Sequence, residues 1–219
     1  MKRTIAEIMQ KKVTTVTPEP GAIEFRVKAV TESGPTDALP KTLPPPNLCW
    51  QLRRSALFTS RPDPYPEFIK RCFIFTTKGR TFLDQTVRRK IPCRPPDDNY
   101  NNPPWVQMYV GDWQEIPAVT TNSWADYSPD RYVGTVIGAV SRDAKYLTAI
   151  ANDSASLMCQ AWHDCMHNNA NWQPADAPAA QQVWRLRIYA MENDPTALLA
   201  RVVRDFPKAT RSTQAERLK

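Results

Sequence analysis

The chain has 219 residues, with 42% hydrophobic and 23% charged positions, an ordinary globular composition long enough to bury a core without staples. Its net charge is +7, but residues 1–12 and 207–219 carry +3 each, so the body between them is close to neutral and a nucleic-acid surface is not expected. Twenty-one prolines against six glycines disfavour long helices and the usual Gly-rich phosphate loops.

In chain order, residues 3–11 have Ile5, Ile8 and Met9 at helical spacing and predict a short amphipathic helix within an N-terminal arm, 1–21. From Ala22 the period changes to two: in "AIEFRVKAV" Ile23, Phe25 and Val27 alternate with charged residues, as in a half-buried strand. "TESGPTDALPKTLPPPN" reads as a long, stiff connection. "LCWQLRRS" (48–55) is a strand, and "KRCFIFTT" (70–77) and "RTFLDQT" (80–86) form a hairpin around Lys78-Gly79. Residues 91–104 are loop, because proline pairs and an Asp/Asn cluster block both ladders. Strands follow at 105–111, 131–141, 145–151 and 183–191. The last puts Val183, Arg185, Arg187 and Tyr189 on one face and Trp184, Leu186, Ile188 and Ala190 on the other.

A C-terminal helix then begins at Pro195, capped by Asn193 or Asp194, with Leu198, Leu199, Val202, Val203 and Phe206 as its apolar stripe. Eight strands without intervening helices predict a mainly all-β protein. The expected architecture is an antiparallel two-sheet β-sandwich over 22–207, closed by a short helix and followed by a basic tail, 208–219. The opening "MKRTIAEIMQKK" has no apolar run and no segment reaches the ~20 apolar residues of a membrane span. The expectation is a soluble, cytoplasmic protein, or an extracellular one if the chain is part of a longer protein.

Three stretches carry residues suited to chemistry. In "AWHDCMHNN" (161–169), His163 and His167, the two histidines of the chain, flank Cys165. Cys159, His163 and His167 are spaced by four, so they share a face whether the segment is helix or strand. Only a strand adds Cys165 to that face. Met158, Trp162 and Met166 at helical spacing favour a helical turn. Imidazole and thiolate suit zinc, although the spacing matches no standard structural zinc site and a fourth ligand is missing. A catalytic version makes His163 or His167 the general base, oriented by Asp164 or Asp153, and the plainest version is a packed loop. The five cysteines, odd in number and irregularly spaced, form no disulfide framework.

The second stretch, "PPDDNYNNPPW" (95–105), offers Asn99, Tyr100 and Trp105. The third, "NSWADYSPDRY" (122–132), offers Trp124, Asp126 and Asp130. Flat rings against sugar faces, with amides and carboxylates on hydroxyls, are what a carbohydrate site needs. The same residues suit loops held by side-chain turns and an Asp-Arg pair.

"YVGTVIGAVSRDAKYLTAIANDSAS", the Cys/His segment and "WRLRIYAMENDPTALLARVVRDFP" together resemble the closing half of a large β-sandwich of bacterial glycan-active proteins. "IEFRVKAVTES", "LCWQLRRSALF" and "RCFIFTTKGRTF" are similar to its opening strands. The resemblance implies a sugar-related context. Such relatives usually carry a separate catalytic domain, and this chain has no room for one. Three readings stand: a carbohydrate-recognition or accessory module; a glycan hydrolase or lyase using His163 or His167 with Asp164, with or without a metal such as zinc; and a structural or homo-oligomeric assembly protein with basic tails.

Overall fold

The computed structural model describes residues 9–31, 42–43, 46–52, 55–58, 68–87, 106–118, 125–160, 165–171, 173–174, 177 and 183–207. The strands, in chain order, are β1 (Met9–Glu19), β2 (Ala22–Thr31), β3 (Thr42–Leu43), β4 (Asn47–Gln51), β5 (Cys72–Thr76), β6 (Gly79–Phe82) and β7 (Val106–Tyr109). They continue with β8 (Ala125–Tyr127), β9 (Val136–Val140), β10 (Tyr146–Asn152), β11 (Ala155–Gln160), β12 (Cys165–Ala170), β13 (Gln173–Pro174) and β14 (Val183–Glu192). A C-terminal helix, α1 (Pro195–Asp205), follows. No described helix is long and apolar enough to cross a membrane.

A seven-stranded sheet runs β1-β2-β14-β10-β9-β5-β6, and a five-stranded sheet runs β4-β12-β11-β7-β8. All neighbours are antiparallel except β7 and β8. The protein is therefore the expected all-β two-sheet fold with one C-terminal helix.

Period-two alternation fills two layers. Ile74, Ile137, Ile150 and Ile188 are cross-strand partners on the inner face of the larger sheet. There they pack with Met158, Met166 and Tyr109 of the smaller sheet. Burying each such side chain stabilises by roughly 1.5–3 kcal/mol. One residue along each strand, Phe73, Gly138, Ala149, Tyr189 and Ala22 line the outer face. Glycine is required at 138 because a Cβ there would overlap the Phe73 ring. Leu198, Val202 and Phe206 of α1 cover this face. Asp194 caps the helix, accepting from the Ala197 amide at 2.9 Å, and Pro195 occupies the first turn as its sequence predicts.

Beside α1 the outer face carries a charge network. Glu24, 3% exposed, accepts from Arg26, Arg185 and Arg187. Arg187 also reaches Asp205 at 2.6 Å, and Tyr189 donates to the same carboxylate at 2.9 Å. Burial by itself would raise the Glu24 carboxyl, but hydrogen bonds from Arg185, Arg187 and Arg26 outweigh it and hold it at about 2. The alternation expected for "VWRLRIYAM" has this physical content: Arg185, Arg187 and Tyr189 serve the network, while Trp184, Leu186 and Ile188 are buried on the other side.

The two sheets are also joined by an amide. Asn168 of β12, wholly buried, donates to the carbonyls of Thr135 (3.0 Å) and Ile150 (3.1 Å) across the interface. The Asn152 amide donates to the Asn168 side-chain oxygen at 2.5 Å.

Four expectations change. Met9–Lys11 are strand rather than helix, because β1 pairs with β2 from Met9 onward and the β-branched run "VTTVT" extends it. Residues 3–8 lie outside the described part. The hairpin loop is Thr77–Lys78, one residue earlier than expected, since Gly79 pairs with Thr76 at a φ of +90°. The strand expected over 131–141 is confined to Val136–Val140. Within the Cys/His segment, residues 165–169 belong to β12, which pairs with β11, so the helical spacing of Met158 and Met166 is overridden by ladder pairing.

Two outcomes follow from these contacts. Glu24 titrates lower in the folded than in the unfolded chain, so its stabilisation is complete above the ordinary carboxylate pKa and is lost as pH falls towards 2. Urea midpoints should drop between pH 5 and pH 2.5, and Glu24→Gln should cost about 3 kcal/mol at pH 7 while flattening that acid limb. Asn168→Leu should destabilise by about 2–4 kcal/mol in chemical denaturation, because the buried carbonyls of Thr135 and Ile150 lose their donor.

Candidate functional site

Strand pairing assembles the site from distant parts of the chain. Cys49 of β4 lies opposite His167 of β12, and His167 lies opposite Cys159 of β11. Trp50, Met166 and Asn168, their immediate neighbours, point into the interior, so this row faces outward on the smaller sheet. Cys165, two residues before His167, shares the face and sits opposite Gln51. The strand geometry thus adds Cys165 to the face.

The ligand atoms of Cys49, Cys165 and His167 all lie within 4.8 Å of one another. Cys165 Sγ is 3.5 Å from His167 Nε2. His167 Nδ1 is 3.4 Å from the Asn47 side-chain oxygen. An amide oxygen only accepts, so Nδ1 carries a hydrogen and Nε2 is the nitrogen turned to the sulfurs. Gln51 donates to Cys49 Sγ at 3.5 Å. The Cys49 thiol is held well below the ordinary thiol range by hydrogen bonds from Cys165 and then from His167, with burial opposing. Cys49 and His167 are half-buried, whereas Cys165 is 1% exposed.

The expected trio of Cys159, His163 and His167 shares one member with this group. Cys159 is not among the three: it is buried, and burial together with the nearby Cys49 charge pushes its thiol up to about 12. His163 and Asp164, the expected base and orienter, lie outside the described residues. Asp153, the other candidate orienter, is held at the β10–β11 turn, where its carboxylate accepts from the Arg185 amide at 3.3 Å.

Among the carbohydrate candidates, Asn99, Tyr100, Trp105 and Trp124 also lie outside the described residues. Asp126 is buried and accepts from the Tyr127 amide at 2.6 Å. Asp130 accepts from the Val87 amide at 2.6 Å, and Ser128 donates to the Val87 carbonyl at 2.7 Å. These contacts clasp the end of β8 to the segment after β6. Arg131 does not complete the expected Asp-Arg pair. Its guanidinium donates to the Gly111 carbonyl at 2.7 and 3.1 Å.

Sequence reasoning missed Cys49 as a site residue. Its signal was present in "NLCWQ", where Cys49 and Trp50 must face opposite ways in a strand, so an inward Trp50 leaves the cysteine outside. What local spacing could not supply is that β4 pairs with β12, more than a hundred residues later. Comparisons with protein-family models, curated proteins and solved structures find no match to this chain.

The environments separate the thiols sharply. At pH 7 iodoacetamide should alkylate Cys49 well before Cys159, as read by peptide mass spectrometry. The Cys49 rate should stay nearly flat on lowering the pH from 8 to 6, and should regain the ordinary thiol dependence in His167→Ala.

Proposed function

We propose that the protein binds a thiophilic divalent ion of the zinc class through Cys49, Cys165 and His167. One observation carries the reading. A tetrahedral ion with Zn–S of about 2.3 Å and Zn–N of about 2.0–2.1 Å sets a sulfur–nitrogen edge of about 3.5 Å. Cys165 Sγ and His167 Nε2 stand 3.5 Å apart. Asn47 supports the same reading, because a metal-binding imidazole characteristically gives its other N–H to an oxygen that fixes the ring.

Two thiolates and one imidazole leave a fourth position for water or another donor. Three protein ligands with an open position are the pattern of zinc sites that act on exogenous molecules, in contrast to closed four-ligand structural sites. The ion would supply Lewis acidity there. The chain's own residues do the rest: Gln51 steadies the Cys49 sulfur, Asn47 sets the His167 tautomer, and Asn168, on the reverse of β12, fixes the strand. The glycan-recognition reading would rest on Asn99, Tyr100, Trp105 and Trp124, which lie outside the described residues; its described members, Asp126 and Asp130, each have a carboxylate oxygen committed to a backbone amide.

Cobalt(II) added to the metal-free protein should bind at one equivalent, with thiolate charge-transfer absorption and the intense visible bands of tetrahedral coordination. Cys49→Ala, Cys165→Ala and His167→Ala should each abolish that spectrum. Asn47→Ala should keep it with affinity lowered about 10-fold or more, and Cys159→Ala should leave it intact. Uptake below a tenth of an equivalent would overturn the reading.

A further inference from the structure

We propose that Cys49 and Cys165 form an oxidation site for hydroperoxides, closing to a disulfide that releases the ion; this rests on the metal-centre reading above. The two sulfurs lie within 4.8 Å, with the Cys165 thiol hydrogen-bonded to Cys49. Their exposure is unequal. Cys49 is half-buried on β4, the outermost strand of its sheet, whereas Cys165 is 1% exposed. A reagent arriving from solvent meets Cys49 first, and the second sulfur waits within reach but sheltered. That is the arrangement of an attacking and a resolving cysteine.

The chemistry closes on itself with the peroxide as sole oxidant. The Cys49 sulfur attacks one peroxide oxygen, the O–O bond breaks, and the other oxygen leaves and takes a proton as alcohol or water. Cys49 is now a sulfenic acid. The Cys165 sulfur attacks it, the S–O bond breaks, and hydroxide leaves and is protonated to water. Two thiols and one hydroperoxide give one disulfide, one alcohol and one water, the sulfurs losing the two electrons that the O–O bond gains. Over the two steps both thiolate ligands are consumed, and His167 alone does not retain the ion.

The register shapes the product. Cys49 faces His167 and Cys165 faces Gln51, so the cysteines are diagonal neighbours. Diagonal Cα atoms in a regular ladder stand about 7–8 Å apart, beyond the separation of most disulfides. Closure therefore draws β4 inward, which its position at the sheet margin permits. A bridge made under strain is readily reduced, so the change is reversible by a dithiol. Cys72, on the larger sheet, is wholly buried and takes no part.

The test uses the full chain loaded with zinc and treated with a modest excess of hydrogen peroxide. A chromogenic chelator reads released zinc, and thiol titration reads the free cysteines. One equivalent of zinc should appear as two of the five thiols disappear, and dithiothreitol should restore both. In Cys159→Ser protein, trypsin should yield peptide 42–53 joined to peptide 146–185, which then contains Cys165 as its one cysteine. In Cys165→Ser protein no joined peptide should form, and Cys49 should instead be trapped as sulfenic acid by a 1,3-dione. Retention of zinc with all thiols intact, under conditions that oxidise free glutathione, overturns the proposal. So does a disulfide that omits Cys49 or Cys165. Failure to take up zinc at all sinks the metal reading instead. Peroxide treatment of that metal-free protein, with the same peptide readout, then decides the cysteine pair separately.

Discussion

A single buried carboxamide sets the relation between the two sheets. Asn168 contributes nothing to apolar packing, yet it sits wholly buried and donates to carbonyls belonging to the other sheet. Apolar contacts between two sheets are tolerant: one set of methyl groups slides past another at small cost. Hydrogen bonds to specific carbonyls do not slide, because a displaced amide leaves three polar groups without partners in a dry interior. Asn168 therefore fixes β12 along its axis and in its facing. Since alternate residues of a strand point to opposite sides, fixing Asn168 inward holds Cys165, His167 and Asn169 outward.

The opposite side of the molecule uses charge for a comparable end. Glu24 is almost fully buried with three guanidinium groups around it, and Asp205 ties the end of α1 to the same cluster. Such a network adds little net stability over apolar packing, but it defines where a helix must dock. The protein thus separates its polar investments. Arg and carboxylate groups locate the helix on the outer face of the larger sheet, and sulfur and imidazole gather on the outer face of the smaller one. The isoleucine row and its partners between them need only fill space.

Much of this fold is legible in the sequence, and the reason differs from element to element. "VWRLRIYAM" and "NDPTALLARVVRDF" announce themselves because alternation, an N-cap and a first-turn proline are local signals. β11 and β12 do not. "ASLMCQ" and "CMHNNA" mix polar and apolar residues on both faces, since one face holds a buried amide and the other holds metal-type ligands. The features that give the segment its chemistry are those that erase its strand pattern. His167 was visible as a candidate because histidine is scarce here. Cys49 was hidden because its partnership spans more than a hundred residues and depends on a pairing of strands, which spacing along the chain cannot encode.

The placement of β4 has a broader meaning. Among the described residues it ends its sheet, is five residues long and has β12 as its ladder partner. Sheet margins are where an extended chain can add itself by backbone pairing. An ion held jointly by Cys49 and by the two ligands of β12 would rivet that margin to its neighbour. Occupancy of the proposed centre would then also govern how readily the rim of the sheet peels open, so that a bound ion would guard the protein against pairing with other chains.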